Sequence, residues 1–202
     1  MIDVVIPARD EAKTLAAVLS RFARHQFISR IIVCVDGDTT DGTERVASVY
    51  TDHIIPASRG ISGKGQLMSA GVRQVTTPYV MFCDADYDGL NERHVTAMAG
   101  NVHPQTMKIG VPEFPTADVP NRVISAWPWV SGIRVVPVEL VQTLELHGYL
   151  AEVQMNMECQ LLHYHFRFVF LNGLVSPYKM SPRRLSEMDR DRDWATTHGI
   201  FK

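Results

Sequence analysis

Residues 80–88, VMFCDADYD, run an apolar segment straight into three acids spaced two apart. A short apolar run without polar alternation is the pattern of a strand buried on both faces, as in a parallel sheet. Carboxylates gathered at the end of such a strand repel one another unless water or a cation meets them. Asp84, Asp86 and Asp88 therefore have two readings: an acid-rich turn, or a site for a hard divalent cation such as Mg²⁺ or Mn²⁺ with oxygen ligands.

The flanking sequence places this strand in a larger pattern. IDVVIP (2–7), IIVCVD (31–36) and YVMFCD (79–84) read as buried strands, with HII (53–55) as a short fourth. Ala12, Leu15, Ala16, Leu19, Phe22 and Ala23 recur at helical spacing between the first two. Residues 43–49 predict a second helix entered through GDTTDGT, and GKGQLMSAGVRQV (63–75) predicts a loop followed by a third. Strands alternating with helices predict an α/β fold with a mostly parallel sheet, right-handed crossovers and helices on both faces. Ligands of such sheets bind outside the carboxyl ends of the strands, so PARDE, DGDTTDG and DADYD fall on one rim.

The 202 residues suit one domain with a sizeable core. A net charge of -2 offers no general attraction to polyanions, so charge alone does not point to nucleic acid. No apolar run reaches the roughly 18–20 residues a membrane span needs. MIDVVIPARDEA lacks the basic start of a signal peptide, and Cys34, Cys83 and Cys159 lack metal-site spacing. Buried free thiols and a cytoplasmic setting are expected.

From residue 104 the texture changes: six prolines (104, 112, 115, 120, 128 and 137) predict loops and short strands. Helices are expected over 138–146 and 151–164, then a strand over 167–171. In residues 179–193, Lys179, Arg183, Arg184, Arg190 and Arg192 stand among Glu187, Asp189, Asp191 and Asp193. The polar segment 176–193 reads either as a mobile lid that orders over a diphosphate through Lys179, Arg183 or Arg184, or as a solvated tail.

Three segments together resemble the family-2 glycosyltransferases of GT-A fold. VVIPARDEAKTL resembles that family's first strand and helix, VCVDGDTTDGT its second-strand motif, and GKGQLMSAGVRQVTTPYVMFCDAD its G-K-G element with the D-A-D acids. The resemblance is strong over residues 2–90 and weak beyond. It implies a nucleotide-sugar-binding half (1–100), an acceptor-side half (101–175) and a C-terminal segment (176–202) in one domain. Pro7, Ala8, Arg9 and Glu11 match the segment that holds the nucleoside, and Asp36 the acid that reads the base, usually uracil. Gly63 and Lys64 match the element near base and diphosphate. Asp84 matches a contact to the ribose or the metal, Ala85 a position at the donor and Asp86 the metal ligand, with Asp88 where the polyprenyl-phosphate branch has a further ligand. Asp10 replaces the usual Asn, and Gly37-Asp38 inverts the usual Asp-Gly order.

The resemblance implies a metal-dependent, inverting hexosyl transfer from a UDP-linked donor, with Mn²⁺ or Mg²⁺ as cofactor. Glu152, opening the helix at 151, matches the acid expected to act as base; a first-turn glutamate is also favoured by the helix dipole. Glu158 and Asp118 are rivals. Trp127 and Trp129 suit sugar stacking or a core, and Arg134 a phosphate or acceptor. His163 and His165 read as surface or packing residues, and His198 is a distant metal-ligand candidate. Acceptors compatible with the sequence are a polyprenyl phosphate, a glycan, a small metabolite, a protein hydroxyl or a modified nucleic-acid base. The alternatives are a nucleotidyltransferase, whose N-terminal glycines IPARDEAKTL lacks, and a non-catalytic nucleotide-sugar-binding protein.

Overall fold

The computed structural model describes residues 1–57, 63–113, 129–177 and 182–197, with side chains from residue 186 onward in the last of these. The sheet begins with β1 (Ile2–Ala8), which pairs in parallel with β2 (Ile28–Val35) on one side and β4 (Tyr79–Phe82) on the other. Beyond β2 lies β3 (Ile54–Pro56). Beyond β4 come β6 (Arg134–Pro137), β5 (Thr106–Glu113) and β7 (His165–Val175), giving the order β3-β2-β1-β4-β6-β5-β7. Only β6 among these runs antiparallel to its neighbours. The chain travels outward from β1 to β3 and then returns on the other side of β1, so the strand order reverses between β1 and β4. A crevice opens at the carboxyl ends of the strands at such a switch point.

Alternate residues of β1 enter two separate cores because strand side chains point to opposite faces. Val4 and Ile6 join Leu15, Val18, Leu19 and Phe22 of α1 (Leu15–Phe22) and Val95 and Met98 of α4 (Glu92–Ala99). Val5 joins Leu67, Met68 and Val72 of α3 (Lys64–Val72) and Met155 and Cys159 of α6 (Ala151–Leu161). Between these lie α2 (Thr43–Ala47), α5 (Val138–Val141) and a 3₁₀ turn at Gly148–Leu150. Helix α7 (Pro182–Thr197) follows β7. The α1 residues recur at i, i+3, i+4 and i+7, the spacing of one buried stripe. Helix α4 is started by Asn91, whose side chain accepts from the amides of Arg93 and His94.

All three cysteines are buried free thiols, as expected. Burial pushes Cys34 up to about 12 and Cys159 up to about 11, which suits packing rather than thiolate chemistry.

The structure departs from the sequence pattern at several elements. Helix α5 stops at Val141 rather than running to 146. Helix α4 and the full extent of β5, β6 and β7 were not expected; proline and glycine density hid strands that tertiary pairing stabilises. The segment read as a polar lid or tail carries a sixteen-residue helix, α7.

Candidate active site

At the carboxyl ends of β1 and β2 the PARDEA and DGDTTDGT loops are laced together. Thr40 N donates to Asp10 Oδ1 at 2.7 Å, Glu11 N to Thr43 Oγ1 at 2.9 Å and Ala12 N to Asp41 Oδ2 at 3.0 Å. Asp10 has φ +54°, a left-handed backbone that Asn and Asp adopt more readily than other side chains. Asp10 thus occupies a backbone conformation that suits Asp as well as Asn. The Glu11 carboxylate receives the Thr14 hydroxyl at 2.7 Å, fixing the entry to α1.

Asp36, at the end of β2, is 3% exposed. Its Oδ1 accepts from Asp38 N at 2.9 Å and its Oδ2 from Gly63 N at 3.2 Å. Gly63 has φ +123°, a conformation that a side chain would strain, and this bend aims its amide at Asp36. One residue on, Lys64 begins α3. Its Nζ lies 2.6 Å from Asp84 Oδ1 and 2.6 Å from Glu152 Oε1. Burial alone would lower this ammonium, but the charges of Asp84 and Glu152 outweigh it and hold the group well above its ordinary value. Asp84 itself presses on Gly132, where a Cβ would stand 2.0 Å from Oδ2. Glycine at 132 is thus required for the aspartate to reach the lysine.

Glu152 is 4% exposed in the first turn of α6. The α6 start and the preceding β6 turn are held by Arg134, which is fully buried. Its guanidinium donates to Ser131 O at 2.8 and 3.1 Å, to Trp129 O at 3.1 Å, to Asn156 Oδ1 at 3.0 Å and to Glu152 O at 3.4 Å. The expectation that Arg134 would face a phosphate or acceptor is therefore corrected. It is an internal brace, and burial lowers its pKa. Trp129 is 39% exposed and stands edge-on to Phe166 and Phe168, so it serves as packing with one open face.

The three aspartates of DADYD divide. Asp84 and Asp86 are half-buried, whereas Asp88 is exposed and pairs through its backbone with Val175. Among the described residues no group of three or more His, Cys, Asp or Glu is placed to hold a metal. The structure thus does not assemble Asp84, Asp86 and Asp88 as a three-carboxylate cage. His165 is exposed at the start of β7, and His163 is exposed with a left-handed backbone at the end of α6, as surface residues. Trp127, Lys179, Asp118 and His198, and the side chains of Arg183 and Arg184, lie outside the described residues.

Helix α7 adds residues that sequence reading did not bring to the site. Glu187 receives both Arg9 nitrogens, at 2.9 and 2.8 Å, while Asp36 Oδ2 lies 3.9 Å from the same guanidinium. The Glu187 contact, against an opposing burial cost, holds Arg9 above the usual arginine range. Asp191 accepts from Tyr149 N at 2.7 Å and lies 3.4 Å from His147 Nε2, and His147 stacks on Trp194 at 4.1 Å. Glu187 and Arg9 are 178 positions apart, and no short-range signal links them.

Residues 3–88 match the family described as Glycosyl transferase family 2. Glycosyltransferase AglJ of Haloferax volcanii is 33% identical over 84 residues, 41% of this chain and 26% of the relative. The uncharacterized glycosyltransferase YaiP of Escherichia coli is 33% identical over 89 residues, 42% of this chain and 22% of the relative. The chain thus spans about a quarter of the length of these curated relatives. Among solved structures, glucosyl-3-phosphoglycerate synthase from Mycobacterium tuberculosis, in complex with Mn²⁺, UDP-glucose and glycerol 3-phosphate, superposes with a TM-score of 0.76. That match has 18% identity and covers 94% of this chain and 76% of the other. The fold is GT-A, and residues 3–88, which carry Arg9, Asp36, Lys64, Asp84 and Asp86, are the part of the chain that is similar to glycosyl transferase family 2.

Proposed function

We propose that the chain is an inverting glycosyltransferase that moves a hexose from a UDP-linked donor to an acceptor hydroxyl or phosphate with the help of Mn²⁺ or Mg²⁺. The observation that carries this reading is the meeting of Lys64, Asp84 and Glu152 at one point of the crevice, next to Asp36 at the nucleoside end. The UDP-glucose and Mn²⁺ bound by the structural relative support the choice of donor and ion.

The donor set suits an ion shared with phosphate. Asp84 and Asp86 offer hard oxygens two residues apart at the end of β4, short of an all-protein cage, which is how Mg²⁺ and Mn²⁺ are usually held beside a diphosphate. Such an ion would stabilise the charge growing on the departing nucleoside diphosphate. In this reading Pro7, Ala8, Arg9 and Glu11 line the nucleoside, Asp36 accepts from the base, and Gly63 and Lys64 lie along the diphosphate. Glu152 accepts the acceptor proton from the opposite side of the sugar. Its burial among Lys64 and the Arg134-braced turn keeps the carboxylate oriented.

Calorimetry with UDP, with and without Mn²⁺, tests the proposal. Binding that requires the ion is expected, followed by turnover with a UDP-hexose once mass spectrometry identifies the acceptor. A folded protein that binds no nucleoside diphosphate under either condition would falsify it.

A further inference from the structure

Lys64 Nζ bridges two carboxylates to which the proposed reaction gives different tasks. Asp84 stands beside Asp86 where the divalent ion is needed, and Glu152 stands where the base is needed. Among the described residues Lys64 is the one side-chain cation within ion-pair distance of either. The nearby Arg134 spends its polar contacts on Trp129 O, Ser131 O, Glu152 O and Asn156 Oδ1, plus a 3.8 Å contact to Met107 Sδ. The two cations have different freedom. Arg134 is fully buried, whereas the Lys64 side chain is 16% exposed on a flexible stem at the first position of α3.

We infer that Lys64 is the resident counter-ion of the donor-free site, exchanged from Asp84 and Glu152 to the donor diphosphate when ion and nucleotide arrive together. The inference rests on the transferase reading above. A bare divalent ion must displace the ammonium from Asp84 and receives nothing in return, with like charges opposing its entry. An ion that already carries a diphosphate brings new acceptors for the ammonium. The same movement frees a metal ligand and uncovers Glu152, so the base is exposed only when the leaving group is in place. The site therefore discriminates for the ion–nucleotide pair over the ion alone, and Lys64 is the residue that sets this preference.

The test is Mn²⁺ binding without nucleotide, followed by electron paramagnetic resonance of the free ion, in wild type and Lys64→Met. Removing the ammonium should tighten binding of Mn²⁺ alone on the order of tenfold, the size of one partly screened charge contact. UDP–Mn²⁺ binding should weaken by about as much. Because Lys64→Met leaves Glu152 buried and unpaired, the double variant Lys64→Met/Glu152→Gln is compared with Glu152→Gln, a background without that stranded carboxylate. The same tightening is expected there. Unchanged Mn²⁺ affinity in both comparisons, with UDP–Mn²⁺ binding intact in wild type, overturns the role of Lys64 and leaves the transferase reading standing. A wild type that binds no UDP–Mn²⁺ overturns the reading on which it rests.

Discussion

At the amino ends of β1 and β4 the fully buried Asp3 receives Thr76 N at 2.8 Å and Arg30 Nη2 at 2.7 Å, while its own amide donates to Thr77 Oγ1 at 2.9 Å. At the carboxyl ends of the same strands, Asp84 and Glu152 share the ammonium of Lys64. Both clusters hold an aspartate at a strand end, and both are answered by positive charge. The difference lies in the donors. Asp3 is held by the Thr76 amide and by Arg30, whose guanidinium is itself tied to Gln74 O and Thr76 Oγ1 and cannot leave without opening the corner. Asp84 is held by the tip of a flexible side chain that a ligand can draw away. The first arrangement stabilises the fold, and the second keeps a site ready for exchange.

The contrast is sharpest at Arg134, which braces the rim yet is bonded like the far end. Arg134→Met should destabilise the protein by about 3–5 kcal/mol, since it strands several buried carbonyls, measured by denaturant unfolding. A loss below about 1 kcal/mol would remove its role as brace. Asp86→Ala should instead leave the unfolding midpoint nearly unchanged and weaken Mn²⁺-dependent UDP binding on the order of a hundredfold, or about 3 kcal/mol. Equal UDP affinity in variant and wild type would break the division between the two ends.

Asp3→Asn should cost about 2 kcal/mol at pH 7 without altering UDP binding. Burial alone would raise the Asp3 carboxyl, but the Arg30 guanidinium and the Thr76 and Thr77 backbone hold it below its ordinary value. A folded value below the unfolded one of about 3.9 means the stabilisation is complete above that pH and fades as pH falls through the folded value. Unfolding curves from about pH 4 to 2 should therefore be steeper for wild type than for Asp3→Asn. The smallest effect expected is for Glu187→Gln. Replacing the bidentate partner of Arg9 in this part-buried contact should cost about 1 kcal/mol and make α7 more susceptible to limited proteolysis. Unchanged cleavage would show that α7 is docked chiefly by Asp191 and Trp194.

Much of residues 1–100 was legible because its signals are local. The β-branched runs of β1 and β2, the helical spacing of Leu15, Leu19 and Phe22, and the acids after Phe82 all lie within short windows. Asp36, Lys64, Asp84 and Glu152 were each singled out from the sequence, yet nothing in it paired Lys64 with Glu152 across 88 positions. Arg134 was read as meeting a phosphate or an acceptor because charge is visible in a sequence and burial is not. Residues 176–193 were read as lid or tail because a polar segment looks alike whether solvated or docked by a few specific contacts.

The sequence by itself determined the alternating α/β order, the buried thiols and the acids that end β2 and β4, since backbone periodicity and strand-end chemistry depend on neighbours a few residues away. Tertiary structure decided which charges meet. The antiparallel insertion of β6 brings Gly132 against Asp84, the start of α6 carries Glu152 to Lys64, and α7 carries Glu187 to Arg9. Ion pairs act through space, over a few ångströms that only the folded chain defines.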